Sequence, residues 1–278
     1  MVGLKGRLVR LLRTKVMRIL VERPLRSLLE GVFPWFARTF GTRRDAMWAS
    51  YRAWQEGTRG RWPDAIYWAK LALAADPTWG GGHHRLGTAY RGAGSPDRAR
   101  QAYEQGMRAA PADYRIAMAL GDLELEQQRD DAAETAYRRA LTLQPENPEV
   151  LCKLAQTVVQ NLQRADEARQ LLEHALELAP GDAQVLRVLG FTRYAQQDLP
   201  GALTVLTEAT ARDPMQPFSY YYLAQTLAAL GRREEALAAL RQALALDPDE
   251  ERFHALHAFL LEPVVPDQPG GDGRAAPI

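Results

Sequence analysis

From about residue 46 to about residue 250, the chain alternates blocks with apolar side chains at helical spacing and short breaks rich in Gly, Pro and polar residues. Late in this stretch Leu223, Leu227 and Leu230 follow an i, i+4, i+7 pattern. After a break at Gly231, Leu237, Leu240 and Leu244 follow i, i+3, i+7. The spacing predicts two short amphipathic helices joined by a tight turn. One such pair has too little apolar surface to fold alone, so neighbouring pairs must stack.

The same unit recurs along the chain. Pro77, Pro111, Pro145, Pro180, Pro214 and Pro248 lie 34, 34, 35, 34 and 34 residues apart. Five positions before each stands a small residue: Ala72, Gly106, Ala140, Ala175, Ala209 and Ala243. Twelve positions before each stands an alanine: Ala65, Ala99, Ala133, Ala168, Ala202 and Ala236. A further small residue lies twelve before five of those alanines, at Ala53, Gly87, Gly121, Gly190 and Ala224. In the remaining unit Ala155 lies thirteen before, which puts a one-residue insertion in the turn near Asn161. Tyr103, Tyr137, Leu172, Leu206 and Leu240 follow the alanines by four. Small residues let two helices approach closely, and proline stops the helix it follows. Gly60, Gly94 and Gly231 sit between the paired helices, where the chain favours a positive φ.

In these phases the chain resembles the tetratricopeptide repeat (TPR) family, best over "HHRLGTAYRGAGSPDRARQAYEQGMRAAP" (83–111) and "YYYLAQTLAALGRREEALAALRQALALDP" (220–248). The resemblance implies an all-α, right-handed α-solenoid of helix-turn-helix repeats. Six repeats are expected at 46–79, 80–113, 114–147, 148–182, 183–216 and 217–250. The first departs from the family pattern, with Ala53 in the place of glycine and Trp48, Tyr51 and Trp54 crowding its first helix. Residues 251–262 read as a capping helix with Phe253, Leu256 and Leu260 on one face, started by Asp249 or Glu250. The Pro- and Gly-rich tail 263–278 reads as disordered.

The resemblance also implies where a ligand sits, because first helices line the concave surface in this family. The mapped positions are Ser50, Tyr51 and Trp54; His84, Arg85, Thr88 and Arg91; and Met118, Asp122 and Leu125. They continue with Cys152, Lys153 and Gln156; Arg187, Phe191 and Tyr194; and Tyr221, Tyr222 and Gln225. Aromatic and Arg side chains carry much of the energy at protein interfaces. The expected groove residues are therefore Tyr51, Trp54, His84, Arg85, Arg91, Asp122, Lys153, Gln156, Arg187, Phe191, Tyr194, Tyr221, Tyr222 and Gln225. Some family members clamp a terminal carboxylate with Lys and Asn pairs, but Ser50/Trp54, His84/Thr88 and Cys152/Gln156 stand at those positions here. A protein or peptide partner with a more apolar segment is the expectation.

Charge changes the picture at one end only. Residues 1–45 hold eleven Lys or Arg against three acids, so they carry +8 of a whole-chain net charge of +1 and leave −7 on the rest. A basic charge confined to one end argues against nucleic acid as a partner of the body. Leu4, Leu8, Leu11, Leu12 and Ile19 form a stripe, with Arg7, Arg10 and Arg18 on the other side and Trp35 and Phe36 further on. This basic amphipathic segment suits the surface of an anionic membrane, at the inner face of a membrane in an otherwise cytoplasmic protein. Alternatives are docking on the solenoid, homodimerisation, or mitochondrial targeting. No stretch approaches the ~20 apolar residues of a membrane span.

Candidate chemistry is sparse. Cys152 is the lone cysteine, has no base beside it in sequence, and reads from its place on a first helix as a small packing residue. His254 and His257 have tolerable metal spacing but no third ligand nearby, and "TWGGGHH" (78–84) lacks the strand and lysine of a phosphate loop. The expectation is therefore a non-catalytic scaffold without metal or cofactor. The alternative is a helical accessory subunit of an enzyme complex.

Overall fold

The computed structural model describes residues 43–261. The basic-segment residues Leu4, Arg7, Leu8, Arg10, Leu11, Leu12, Arg18, Ile19, Trp35 and Phe36 lie outside them, as does the tail 263–278. Among the described residues there are thirteen α-helices, one short 3-10 helix and no strand, an all-α repeat solenoid by sequence pattern and fold. The described residues divide into two compact units, 43–123 and 124–261.

The first unit contains α1 (Arg43–Thr58), α2 (Trp62–Ala75), α3 (Gly80–Gly92), α4 (Pro96–Ala109) and most of α5 (Tyr114–Glu126). Helices α1 and α2 fold back on one another, as do α3 and α4, and α3 packs on both α1 and α2. Small residues set the approach within a pair. A methyl group added at Gly87 would meet the Tyr103 ring at 2.2 Å, so glycine alone admits that ring. Tyr103 is fully buried as a result, beside Ala99, Ile116 and Leu123. In the first pair tryptophans fill the space instead. Trp48 meets Trp68 edge-on with centroids 5.4 Å apart. Trp62 lies where a methyl at Gly92 would approach it to 2.5 Å.

The second unit contains α6 (Asp130–Leu143), α7 (Pro148–Val158), α8 (Ala165–Leu178), α9 (Ala183–Ala195), α10 (Leu199–Arg212), α11 (Pro217–Ala229), α12 (Arg233–Leu246) and α13 (Glu251–Leu261). Each helix from α6 onward packs on the next. Helices α7, α9, α11 and α13 also touch in series, so four helices share one side of the unit. Ala168, Ala202 and Ala236 are fully buried, and so are Leu172, Leu206 and Leu240 four residues on. Burying each such leucine contributes about 1.5–3 kcal/mol. Phe253, Leu256 and Leu260 of α13 close the last pair, with Phe253 and Leu256 fully buried. Glu250 starts that helix, its carboxylate accepting from the Arg252 backbone N–H at 3.3 Å.

The turns between paired helices take the left-handed conformation in two chemistries. Gly60, Gly94 and Gly231 have φ of 71°, 69° and 75°. Gln128 and Gln197 adopt the same conformation, with φ of 56° and 62°, without glycine's freedom. Between α7 and α8 the turn instead contains the 3-10 helix Leu162–Arg164, opened by the Asn161 side chain accepting from Gln163 N–H at 3.1 Å.

Candidate binding clefts

The shared side of α7, α9, α11 and α13 carries a cleft of about 270 Å³ within the second unit. Gln156, Val159 and Gln160 come from α7 and the turn after it, Arg187, Val188 and Phe191 from α9, Tyr221, Tyr222 and Gln225 from α11, and Arg252 from α13. Helical periodicity explains the set, since residues three and four apart share a face. The Phe191 and Tyr222 rings lie 5.0 Å apart. Phe218 packs 6.3 Å from Tyr222 and 5.2 Å from Phe253. Val159 and Val188 are buried. The wall is therefore aromatic and aliphatic, with polar ends above it.

Those polar ends differ in how they are partnered. Gln225 Nε2 donates to the Tyr221 hydroxyl at 3.1 Å. Arg252 is held twice, by the Glu250 carboxylate at 2.7 and 3.1 Å and by its stacking 4.6 Å over the Phe218 ring. Arg187 Nε is buried and makes no hydrogen bond within the protein. Burial pushes the Tyr222 hydroxyl up, and the Arg187 and Arg252 charges oppose that shift. Burial also pushes the Cys152 thiol up to about 12, with Arg187 working against it. Cys152 is 1% exposed, so it is an inert packing residue and not part of the open groove mapped from the family.

A second cleft, also about 270 Å³, lies in the first unit between α1, α2 and α3. Trp54, Trp62, Arg85 and Thr88 line it over small residues such as Ala53 and Ala65. Beside it, burial and then the Arg85 and Arg115 charges push His84 down to about 4, so it is neutral at pH 7. Thr88 Oγ1 donates to the His84 carbonyl at 2.9 Å and lies 3.3 Å from the Tyr103 hydroxyl. Arg91 reaches Asp122 at 3.9 Å.

Of the residues expected in a groove, Gln156, Arg187, Phe191, Tyr221, Tyr222 and Gln225 come together in the second-unit cleft, and Trp54 and Arg85 in the first-unit cleft. Tyr51 is exposed beside Trp54, with centroids 5.6 Å apart. His84, Arg91, Asp122, Lys153 and Tyr194 are half-buried outside both linings. Sequence reasoning missed Arg252, Val159, Gln160 and Val188 in the second-unit cleft and Trp62 in the first-unit cleft. The stripe Phe253, Leu256, Leu260 pointed to a lid, and only the position next to that stripe hinted that Arg252 reaches the cleft. Among the described residues no group of three or more His, Cys, Asp and Glu is placed to hold a metal ion. No helix among them is long and apolar enough to cross a membrane.

Residues 81–113 and 193–260 match tetratricopeptide repeat families, and residues 102–214 match the family described as the cytochrome c-type biogenesis protein H TPR domain. The chain is a tetratricopeptide repeat protein. Repeats of this kind generally mediate protein–protein contacts and are typically non-catalytic. Among curated relatives, the cellulose synthase operon protein C of Pseudomonas fluorescens is 30% identical over 130 residues, which is 47% of this chain and 10% of that protein. A TPR repeat-containing protein of Pseudomonas aeruginosa is 30% identical over 120 residues, which is 42% of this chain and 20% of that one. The chain thus spans a fifth or less of the length of these relatives. Among solved structures, the pilF protein of Pseudomonas aeruginosa aligns with a TM-score of 0.66 at 19% identity, over 78% of this chain and 99% of that one. YrrB, described as a TPR protein with an unusual peptide-binding site, aligns with a TM-score of 0.53 at 21% identity, over 69% of this chain and 98% of that one. At these identities the likeness is one of fold.

Proposed function

We propose that the chain is a non-catalytic scaffold that holds a peptide or protein segment in the second-unit cleft. The observation that carries this reading is the convergence of Arg187, Phe191 and Tyr222 in one cleft lined by the alternate helices α7, α9, α11 and α13. Aromatic and Arg groups gathered in a recess suit an interface hot spot. The peptide site of YrrB on a similar fold supports the same use. The test is affinity capture of a partner by the full chain, repeated with the double variant Phe191→Ala, Tyr222→Ala. A loss of at least about ten-fold in affinity, with the helical circular dichroism unchanged, is expected. Equal binding removes the cleft from the reading.

The match of residues 102–214 to a biogenesis-protein domain favours a second reading, in which the chain is an accessory subunit of a multiprotein assembly. Co-purification with an active enzyme, lost in the same double variant, would join the two. For residues 1–45 we retain a tether to the inner face of an anionic membrane, on the strength of their +8 charge. Full-length protein is then expected to sediment with anionic vesicles, less in high salt, while a fragment starting at Ala46 stays in solution. Equal sedimentation of both removes the tether, and docking of the segment on the repeats or homodimerisation then leads.

A further inference from the structure

We infer that the second-unit cleft selects a partner segment bearing an internal Asp or Glu side chain next to an aromatic or large aliphatic one, the carboxylate received by Arg187. The inference rests on the reading of this cleft as a peptide groove and adds the chemistry of its occupant. Two guanidinium groups line the cleft and no carboxylate does. Arg252 is committed, bidentate to Glu250 and stacked on Phe218. Arg187 differs, because its Nε is buried without an acceptor inside the protein. A buried donor left unmade is costly, and a guanidinium fork matches one carboxylate with two parallel hydrogen bonds. The Nε–H itself is closed to solvent, but Arg187 lines the cleft without an acid partner, so its charge calls for an anion.

The neighbours of Arg187 define what accompanies that anion. One turn along α9, Phe191 meets Tyr222 in a tilted ring pair with centroids 5.0 Å apart, a half-buried aromatic surface for an apolar side chain. Gln156 and Gln160 add carboxamides, which offer donor and acceptor together and so suit the backbone of a chain passing through. A terminal carboxylate would ask for several free cations at one end, whereas here a single one is free of an acid partner in the lining. The geometry thus favours a side-chain carboxylate within a continuous segment.

The test is a set of NMR titrations of the full chain with three short peptides. The first is acetyl-Gly-Asp-Phe-Gly-amide, the second has Asn for Asp, and the third is acetyl-Gly-Phe with a free carboxyl end. The Asp peptide is expected to bind at least about ten-fold tighter than the Asn peptide, with the preference shrinking in high salt. Arg187→Gln is expected to make the two equal, and Arg187→Lys to restore part of the difference, because it returns the charge without the fork. An unchanged melting temperature in Arg187→Gln assigns the loss to recognition. Equal binding of Asp and Asn peptides to the unaltered chain overturns the inference, as does a preference that survives Arg187→Gln. Tighter binding of the free-carboxyl peptide overturns the choice of an internal side chain. Failure of all three at millimolar concentration overturns it as well. If the Asn peptide binds as well as the Asp peptide and Phe191→Ala abolishes both, the groove stands and only the carboxylate assignment falls.

Discussion

Met47, Tyr51 and Trp54 recur at i, i+4, i+7 on α1 and stand 56%, 54% and 43% exposed. Aromatic residues on a helix of the same kind in the second unit, Phe218, Tyr221 and Tyr222 of α11, are half-buried or buried. Residue type does not separate the two groups. The difference lies in which face the neighbour meets: α3 packs on α1 and leaves Met47, Tyr51 and Trp54 exposed, whereas α13 lies against the aromatic face of α11, with Phe253 5.2 Å from both Phe218 and Tyr221 and Arg252 stacked over Phe218. In a stacked-helix fold each aromatic belongs to a core or to a surface according to whether its face of the helix meets the neighbour. Covering also shapes the cleft, since α13 supplies Arg252 to its lining.

The largest effect that would break this comparison is expected from Phe253→Ala. The ring is fully buried, so its loss should cost about 3–5 kcal/mol in urea unfolding. The matching change Tyr51→Ala, on a face left exposed among the described residues, is expected to cost under about 0.5 kcal/mol. A cost at Tyr51 near that at Phe253 would mean that another element covers α1. Next in size is Gly190→Ala, whose methyl would approach the Leu206 side chain to 2.4 Å. Overpacking there should cost about 1–3 kcal/mol, read as a fall in melting temperature. An unchanged melting temperature would show that Leu206 moves aside freely.

A smaller effect, of opposite sign, is expected in the turns. Gln197→Gly relieves a side chain held at φ 62° and should stabilise by up to about 1 kcal/mol, while Gly231→Ala at φ 75° should destabilise by a similar amount. Opposite shifts in melting temperature check the pair together. The smallest effect concerns a surface network in the second unit. Arg164 grips Glu134 at 2.7 and 2.8 Å, and with Arg138 it holds that carboxyl down to about 2, from an ordinary 4.5, against the cost of burial. A depressed carboxyl stabilises the fold above the unfolded value and loses that contribution as pH falls through the folded one. The gap in urea midpoint between the unaltered chain and Glu134→Gln should therefore be open at pH 7 and close between about 4.5 and about 2. A gap independent of pH would remove the ionic contribution.

The repeat phase was legible because it rests on short-range physics. Ala65, Ala99, Ala133 and their counterparts mark where helices touch, and all are fully buried. The positive φ of Gly60, Gly94 and Gly231 follows from local turn chemistry. Residue type did not announce Gln128 and Gln197 as left-handed; both are exposed and stand one repeat from Gly94 and Gly231, and the turn imposes the conformation against the residue's own preference. Much of the second-unit cleft was anticipated residue by residue, from Gln156 to Gln225, because helical periodicity assigns a face. Periodicity does not say which element covers that face. That Arg252 joins the lining and that Arg187 is left with a buried donor and no internal acceptor depend on contacts between helices far apart in sequence. A side chain's partners are a property of the assembled stack, whereas its face is a property of its own helix.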